Sequence, residues 1–530
     1  MWTRYGRYAA FALVIVLFVL ALLLHPMGKY DWLVAFVLGA FIVIGVADLV
    51  QTRHAILRNY PLLGHMRYIL EFIRPEIRQY MIESDEDAVP FSREQRALVY
   101  RRAKGVPADH PFGTLKNVYE TDYKYFQHSA RPAEGVDSST FRITIGNDQC
   151  LQPYSASIFN ISAMSFGALS AAAVSALNQG AKKGNFYQDT GEGSISPYHR
   201  EGGGDIVWQV ASGYFGCRTL DGKFDPDKFA AQAVSPQVKM IEIKLSQGAK
   251  PGHGGVLPKI KLTPEIAETR GVPLDKDCIS PARHSVFSTP LEMMAFVTEL
   301  RRLSGGKPVG FKMCIGHPWE FMAIVKAMLA SGVVPDFIVV DGGEGGTGAA
   351  PQEFSDHVGT PLREGLLFVH NTLVGAGLRD KIKIGAAGKV TSAFGIAHTI
   401  AIGADWVNSA RAFMFALGCV QSLSCHTNHC PTGVATQDPL RQRALNVPSK
   451  AERVYRYHKR TIDVLAEMLA AAGLSHPDQI DPRHIVERIS PTEVRNFSNL
   501  LTYLEPGELL RGSRHNYYQT NWDLATAERF

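Results

Sequence analysis

Cysteine is scarce in this chain: seven residues among 530, at positions 150, 217, 278, 314, 419, 425 and 430. An odd and mostly scattered set is a poor disulfide framework, which argues against a cystine-stapled secreted scaffold and for a reducing compartment. Charge of one sign is also in short supply. Lys plus Arg number 55 against 50 Asp plus Glu, a formal excess of +5. No long basic stripe is interleaved with aromatics, so nucleic acid is not an expected partner. No GxGxxG follows an early strand and no P-loop motif occurs, so neither kind of nucleotide site is indicated. What is present, 46% hydrophobic and 20% charged residues, suits a globular protein with a sizeable core, and the length allows one large barrel with additions.

Long apolar runs are confined to the N-terminus. No charge occurs between Arg7 and Lys29, and Tyr8 to Leu24 is almost wholly apolar; a second run goes from Trp32 to Ala47 before Asp48. Each is close to the roughly 20 residues that cross a bilayer. A second span follows almost at once and no small-residue cleavage site intervenes, which argues against a cleaved signal peptide. Arg4 and Arg7 precede the first run, Arg53, Arg58 and Arg67 follow the second, and the connection His25 to Asp31 carries one Lys and one Asp. The positive-inside rule then places both ends of the hairpin, and everything downstream, on the cytoplasmic side of the cell (inner) membrane. Leu62, Leu63, Met66, Ile69, Leu70 and Ile73 recur at helical spacing with Arg67 and Arg74 on other faces. This predicts a helix lying either on the lipid surface or on the catalytic domain. Ser92 followed by Gln95 is a capping-box signature for another short helix. The expected division is a transmembrane helical hairpin over 1–52 and a helical connecting region over 53–139.

From about residue 140 short apolar runs alternate with Gly-rich turns and helical segments. Phe141 to Ile145 alternates as a strand. Eight further runs follow: Ser157 to Ala163, Asn185 to Asp189, Ile206 to Val210, Lys239 to Leu245, Val309 to Cys314, Asp336 to Asp341, Lys381 to Gly385 and Asp405 to Ser409. Repeated β–α alternation implies a parallel sheet, and eight units over this length predict a (β/α)8 TIM barrel over 140–475, with 476–530 as a C-terminal extension. An open doubly wound sheet is the alternative. Several strand ends are rich in glycine: Met164-Ser165-Phe166-Gly167, Thr190-Gly191-Glu192-Gly193, Gln247 to Gly252 and Asp341 to Gly348. Runs of glycine carry an entropic cost unless the backbone must approach something closely. The seventh and eighth strands lead into Gly385-Ala386-Ala387-Gly388-Lys389 and Asn408-Ser409-Ala410-Arg411, where barrels commonly bind phosphate. This placement favours the barrel; Lys389 and Arg411 either add charge there or are solvated helix caps.

These motifs, with Ile243 to Gly252, Gly345 to Ala349 and Cys430-Pro431-Thr432-Gly433-Val434-Ala435-Thr436-Gln437-Asp438, resemble the FMN-binding synthase domain of glutamate synthases, in matching order over roughly residues 150–475. The resemblance implies a barrel-bound FMN that delivers a hydride to the 2-imino acid formed from 2-oxoglutarate and ammonia. It implies Met164, Ser165, Lys244 and Gln247 beside the cofactor, and Gly388, Lys389, Ser409 and Ala410 at its phosphate. Lys250 and Glu192 would face the keto acid, with Lys244, Lys250 and Glu192 as the catalytic set. A lysine near the ring can stabilise negative charge, a second can pair with a substrate carboxylate, and Glu192 can move protons. The spacing Cys419-x5-Cys425-x4-Cys430 matches the family's 3Fe–4S ligands. A zinc site using His426 or His429 and plain buried thiols are the other readings.

The chain also departs from the family. It begins Met1-Trp2 rather than with a nucleophilic cysteine, so a glutaminase is not expected within it. Nor is a FAD/NADPH-binding module. The reading therefore expects a separate electron donor, ferredoxin-like or an NAD(P)H-linked subunit, and nitrogen as ammonia, from a separate glutaminase or as another amine. His253 and Val256 stand where the family usually has Glu and Gln, which puts the substrate's identity in question. His253 is either a new acid–base group or a loop histidine; His284 and His317 also follow strand ends. Reductive synthesis of an amino acid from a 2-keto acid is the first functional expectation. The second is oxidation of an amino or hydroxy acid with electrons passed to a membrane partner. The third, a non-enzymatic flavin-binding sensor or assembly subunit, sits poorly with Lys244, Glu192 and Lys250 all present.

Overall fold

The computed structural model describes residues 5–24, 29–71, 90–107, 109 and 111–530. Arg4, the turn of the expected hairpin, and Ile73 and Arg74 fall outside these residues. Two apolar helices open the described chain, α1 (Ala9–Leu24) and α2 (Lys29–Val50). Both are long and apolar enough to cross a membrane, over Gly6–Leu23 and Trp32–Val50, and most of their side chains are uncovered. Asp48 near the end of α2 is buried because its carboxylate accepts from the Leu62 backbone N–H (3.0 Å) and meets His65 (2.9 Å). These bonds pin the following segment, α3 (Ala55–Asn59) and a helix from residue 63 to at least 71, against the foot of α2.

The capping box at Ser92 is present. The Ser92 hydroxyl accepts from the Gln95 N–H, Gln95 returns the bond to the Ser92 N–H, and α4 (Arg93–Lys104) ends at Gly105 in the left-handed region. The connecting region is not wholly helical. Lys124–Phe126 forms a strand that pairs antiparallel with Ile485–Ser490, so the residues before the barrel and those after it share one small sheet.

Eight parallel strands then close on themselves: β1 (Phe159–Ile161), β2 (Gln188–Asp189), β3 (Ile206–Val210), β4 (Val238–Lys244), β5 (Val309–Met313), β6 (Phe337–Asp341), β7 (Lys383–Ala387) and β8 (Trp406–Ser409). Closure excludes the open sheet. Each expected run overlaps one strand, with β7 reaching two residues further than the pattern suggested. Ala386 and Ala387 read as loop because they are small, yet they pair with Val340 and Asp341. The loop therefore starts at Gly388.

Strands buried on both faces carry apolar residues throughout, and helices cover the outside. Inside the barrel Tyr187, Val207, Met240, Phe337, Val339 and Trp406 pack as a separate apolar layer, closed from below by Ile145, Tyr154 and Ala156. The strand expected at Phe141 to Ile145 is thus real, over Arg142–Ile145. It pairs antiparallel with Tyr154–Ser157 as a plug under the barrel and is not one of its staves. Gly385 makes room for the Trp406 indole, whose ring atoms lie 2.4 Å from where a Cβ would stand. That indole N–H donates to Tyr187 Oη (2.8 Å), which satisfies a polar atom deep in the core.

The candidate active site

Parallel register brings the strand ends together. Lys244 lies opposite Lys312, Asp341 opposite Ala387, Ala387 opposite Asn408, and Ser409 opposite Ile161. Residues just beyond these ends line one cavity, and it includes every flavin-site and catalytic residue expected from the sequence: Met164, Ser165, Glu192, Lys244, Gln247, Lys250, Gly388, Lys389, Ser409 and Ala410.

One wall holds the catalytic candidates. The Lys244 ammonium donates to Gln247 Oε1 (2.8 Å) and to Glu192 Oε2 (3.2 Å), and Ser280 Oγ donates to the same carboxylate (3.3 Å). Burial alone would raise the Glu192 carboxyl, but Lys244, Arg270 and Lys250 outweigh it and hold the group below its ordinary range. Gly255 fits under this carboxylate, with Glu192 Oε1 1.8 Å from the place of a Cβ. Only glycine leaves that space. Lys250 is almost fully buried and donates to Ala349 O (2.9 Å); burial pushes its ammonium below the usual lysine range. This bond ties the loop after β4 to the Gly-rich loop after β6. Gly248 N–H donating to Asp341 Oδ2 (2.9 Å) ties them again, and the two backbones approach so closely that a Cβ on Gly248 would stand 1.7 Å from Gly342 O.

Beyond β7 and β8, Lys389 and Arg411 face the same cavity. Arg411 donates to Thr347 O and approaches Cys425 Sγ at 3.9 Å. Lys389 lies over the ring of Phe91, 5.9 Å from its centroid. Among the described residues no carboxylate forms an ion pair with Lys250, Lys261, Arg270, Lys389 or Arg411. The cavity is therefore short of anions, since buried cations are ordinarily paired.

Several residues of the site carry no loop signature. Lys312, inside β5, reaches the cavity from below and is ringed by Asp341, Glu242 and Asp189. Burial works against its charge, but those carboxylates prevail and raise it above the usual lysine range. Asp189 is pushed well up by burial and by Glu242. Gln209 donates to Glu242 Oε1 (2.6 Å). The available signal was a charge in an otherwise apolar, doubly buried strand, as in Val309-Gly310-Phe311-Lys312-Met313. Phe91, from before the barrel, also walls the cavity; it packs edge-on to Phe415 and its carbonyl accepts from Gln421.

The extra histidines separate. His253 lines an outer chamber beside this cavity, with Nδ1 2.8 Å from Gly254 O and its ring edge-on to Phe354. Val256 borders both spaces. His284 is buried behind the wall, 2.9 Å from Lys244 O and 3.1 Å from Tyr214 Oη; burial pushes it down to about 4, so it is neutral and props the Lys244 backbone. His317 stacks on Trp319 and does not line the cavity.

Cys419 and Cys430 are buried and Cys425 borders the cavity. Burial pushes the Cys419 thiol up to about 11. The Lys261 ammonium donates to Ala168 O (2.7 Å), Cys425 O (3.2 Å) and Ala435 O (3.3 Å), joining the loop after β1 to the middle of the cysteine segment and to the stretch that follows it. Among the described residues no three His, Cys, Asp or Glu side chains converge on a single metal position. That geometry by itself supports neither the zinc reading nor the cluster reading.

Residues 130–475 match the conserved region in glutamate synthase. The chain is 37% identical over 515 residues to the glutamate synthase large subunit-like protein YerD of Bacillus subtilis, covering 88% of this chain and 98% of YerD. It is 35% identical over 315 residues to the archaeal glutamate synthase [NADPH] of Archaeoglobus fulgidus, covering 59% of this chain but only 58% of that protein. Among solved structures, mandelate oxidase with benzoyl-formic acid aligns with 76% of this chain and 98% of its own at 14% identity and a TM-score of 0.42. The chain belongs to the glutamate synthase family of oxidoreductases.

Proposed function

We propose that this cavity binds FMN and that the chain reductively aminates a 2-keto acid, 2-oxoglutarate or a close relative, to the amino acid. The observation that carries the reading is one cavity with two unlike ends: the paired Glu192–Lys244 beside buried Lys250, and the unpaired Lys389 and Arg411 after β7 and β8. An anionic ligand fits the shortage of anions, and backbone N–H groups with cationic side chains suit a phosphate. When bound, FMN supplies hydride transfer.

The chain's own residues do the rest. Buried Lys250 neutralises a substrate carboxylate in a poorly solvated site, where the attraction is strong. Glu192, held ionised by its cationic neighbours, accepts a proton from the incoming amine and returns it to the hydroxyl that leaves as water when the imine forms. Lys244 keeps that carboxylate in place. Lys312, kept charged chiefly by Asp341 and Glu242, stabilises negative charge arriving above it. Val256 in the position of an amide removes one polar contact to the substrate and favours a less polar side chain there.

Cys419, Cys425 and Cys430 would hold an iron–sulfur cluster of the 3Fe–4S type. Cluster thiolates bind different irons at the cluster's edges, so they need not converge on one point, and Lys261 and Arg411 supply the positive charge such a group calls for. The apolar α1 and α2 would anchor the chain in a membrane with the barrel on the cytoplasmic side, a separate protein donating electrons and ammonia arriving free or from another subunit. Replacing Lys389 and Arg411 by alanine tests the cofactor end: the purified protein should lose its flavin absorbance. Lys250→Met should keep the flavin and lose turnover. Full flavin occupancy in the first variant, or undiminished turnover in the second, would overturn the assignment.

A further inference from the structure

The foot of the hairpin carries a concentration of positive charge that the barrel chemistry does not use. Arg53 and Arg58 follow α2 directly, and the fold brings Lys104, Arg443 and Arg453 to the same place. Arg453 donates to Arg53 O (3.4 Å), Arg58 donates to Arg443 O (2.9 Å), and His54 between them feels Arg453 and Lys104. Among the described residues no carboxylate forms an ion pair with any of these five cations. Among the described residues the acids nearby are already used: Asp48 by Leu62 and His65, Glu71 by Arg67 and Arg93, and Glu452 by Lys183 and Arg456. Gathered like charges repel unless an external anion sits among them.

The adjoining helix from residue 63 leaves Leu63, Met66, Ile69 and Leu70 exposed, next to the end of an apolar span. Its Tyr68 packs edge-on to His54 in the midst of the cations. Apolar side chains that dip below a headgroup layer and arginines that stay within it are the arrangement of an interfacial segment. A soluble acidic protein would match the charge but would leave the apolar residues in water.

We infer that Arg53, Arg58, Lys104, Arg443 and Arg453 form a collar that binds the phosphates of anionic lipid headgroups, with the helix from residue 63 lying in the lipid interface. This rests on the reading of α1 and α2 as a membrane anchor. The collar also grips the cysteine segment. Asn59 Nδ2 donates to Pro431 O (3.3 Å), Arg441 donates to Tyr60 Oη (3.1 Å), and Arg58 holds the Arg443 carbonyl. Lipid seated on the collar therefore steadies residues 430–443, the segment that begins at Cys430.

The test uses the full chain in lipid nanodiscs, made either of phosphatidylcholine alone or of phosphatidylcholine with phosphatidylglycerol. Amide hydrogen exchange over 53–71 and 430–443 should be several-fold slower with phosphatidylglycerol, and native mass spectrometry should find phosphatidylglycerol retained on the protein. The triple variant Arg53→Gln, Arg58→Gln, Arg443→Gln should lose both effects. Equal exchange in the two lipids for the wild-type protein, which needs no variant to fold, overturns the collar. Extraction of the chain from membranes by alkaline carbonate without detergent would instead overturn the anchor itself, and the collar with it. Exchange slowed by an acidic protein and not by phosphatidylglycerol would overturn the lipid assignment.

Discussion

A single methyl group at residue 255 tests the placement of Glu192 without changing either member of its ion pair. In Gly255→Ala the new Cβ would stand 1.8 Å from Glu192 Oε1, and the next atoms of that carboxyl group lie at 2.5 and 2.7 Å. The methyl is fixed to the backbone, so the carboxylate must move off Lys244 and Ser280, to which it is bonded at 3.2 and 3.3 Å. Hydrogen bonds to charged groups are each worth about 1.5–3 kcal/mol, so loss of both is expected to cost about 3–6 kcal/mol. Removal of an aligned proton acceptor should lower kcat by about 10²-fold or more. In a Glu192→Ala background the three atoms nearest the methyl, all of that carboxyl group, are gone, and its added cost should fall well below its cost beside the carboxylate.

The pH dependence has a defined sign. Glu192 has a lowered folded pKa, so its pairing stabilises the protein above the unfolded value near 4.5 and is lost as pH falls through the folded value. The stability gap between wild type and Gly255→Ala should therefore be full at neutral pH and close in acid. Unfolding of the four proteins of the cycle by urea, followed by tryptophan fluorescence at two pH values, measures this directly. An equal cost of the methyl with and without the Glu192 carboxylate would refute the reasoning.

Three further outcomes follow from the same geometry. Lys312→Met leaves Asp189, Glu242 and Asp341 facing one another without their cation; breaking a buried ion network this way should cost about 3–5 kcal/mol, read as a lower urea midpoint. Lys261→Met removes a buried cation bonded to the carbonyls of Ala168, Cys425 and Ala435, and should lower the midpoint potential of the proposed iron–sulfur centre in a redox titration while iron content is retained. Ser92→Ala deletes the cap of α4 and should cost about 1 kcal/mol. Because Tyr100 on α4 donates to Cys419 O (2.7 Å), hydrogen exchange should rise around Cys419 as well as around α4.

Much of the barrel was legible because strands buried on both faces leave short apolar runs, and because glycine accumulates where strand ends approach a ligand. Glu192 and Lys250 stand in those loops and Lys244 is the last residue of β4, so all three sit beside the signal the glycines give. Lys312 and Glu242 do not. They lie inside strands, where one charge among apolar residues resembles ordinary alternation until the barrel closes and turns both inward. The strand at Arg142–Ile145 was visible but its place was not, since periodicity does not distinguish a stave from a plug. Least legible was the reach of the N-terminal region into the site. Phe91 against Phe415 and Asn59 against Pro431 join residues more than three hundred positions apart, and no local pattern marks either contact.

Hydride transfer to an imino acid is the step that defines the proposed function. The most direct measurement is an anaerobic single turnover. The detergent-purified enzyme is photoreduced, mixed with 2-oxoglutarate and 15N-ammonium, and followed by flavin absorbance and by mass spectrometry of the products. The reduced flavin is expected to reoxidise only when keto acid and ammonium are both present, with one 15N-labelled amino acid formed per flavin. A flavin that stays reduced with 2-oxoglutarate and with every other 2-keto acid supplied, but is reduced from its oxidised form by a hydroxy acid, would contradict the proposed function.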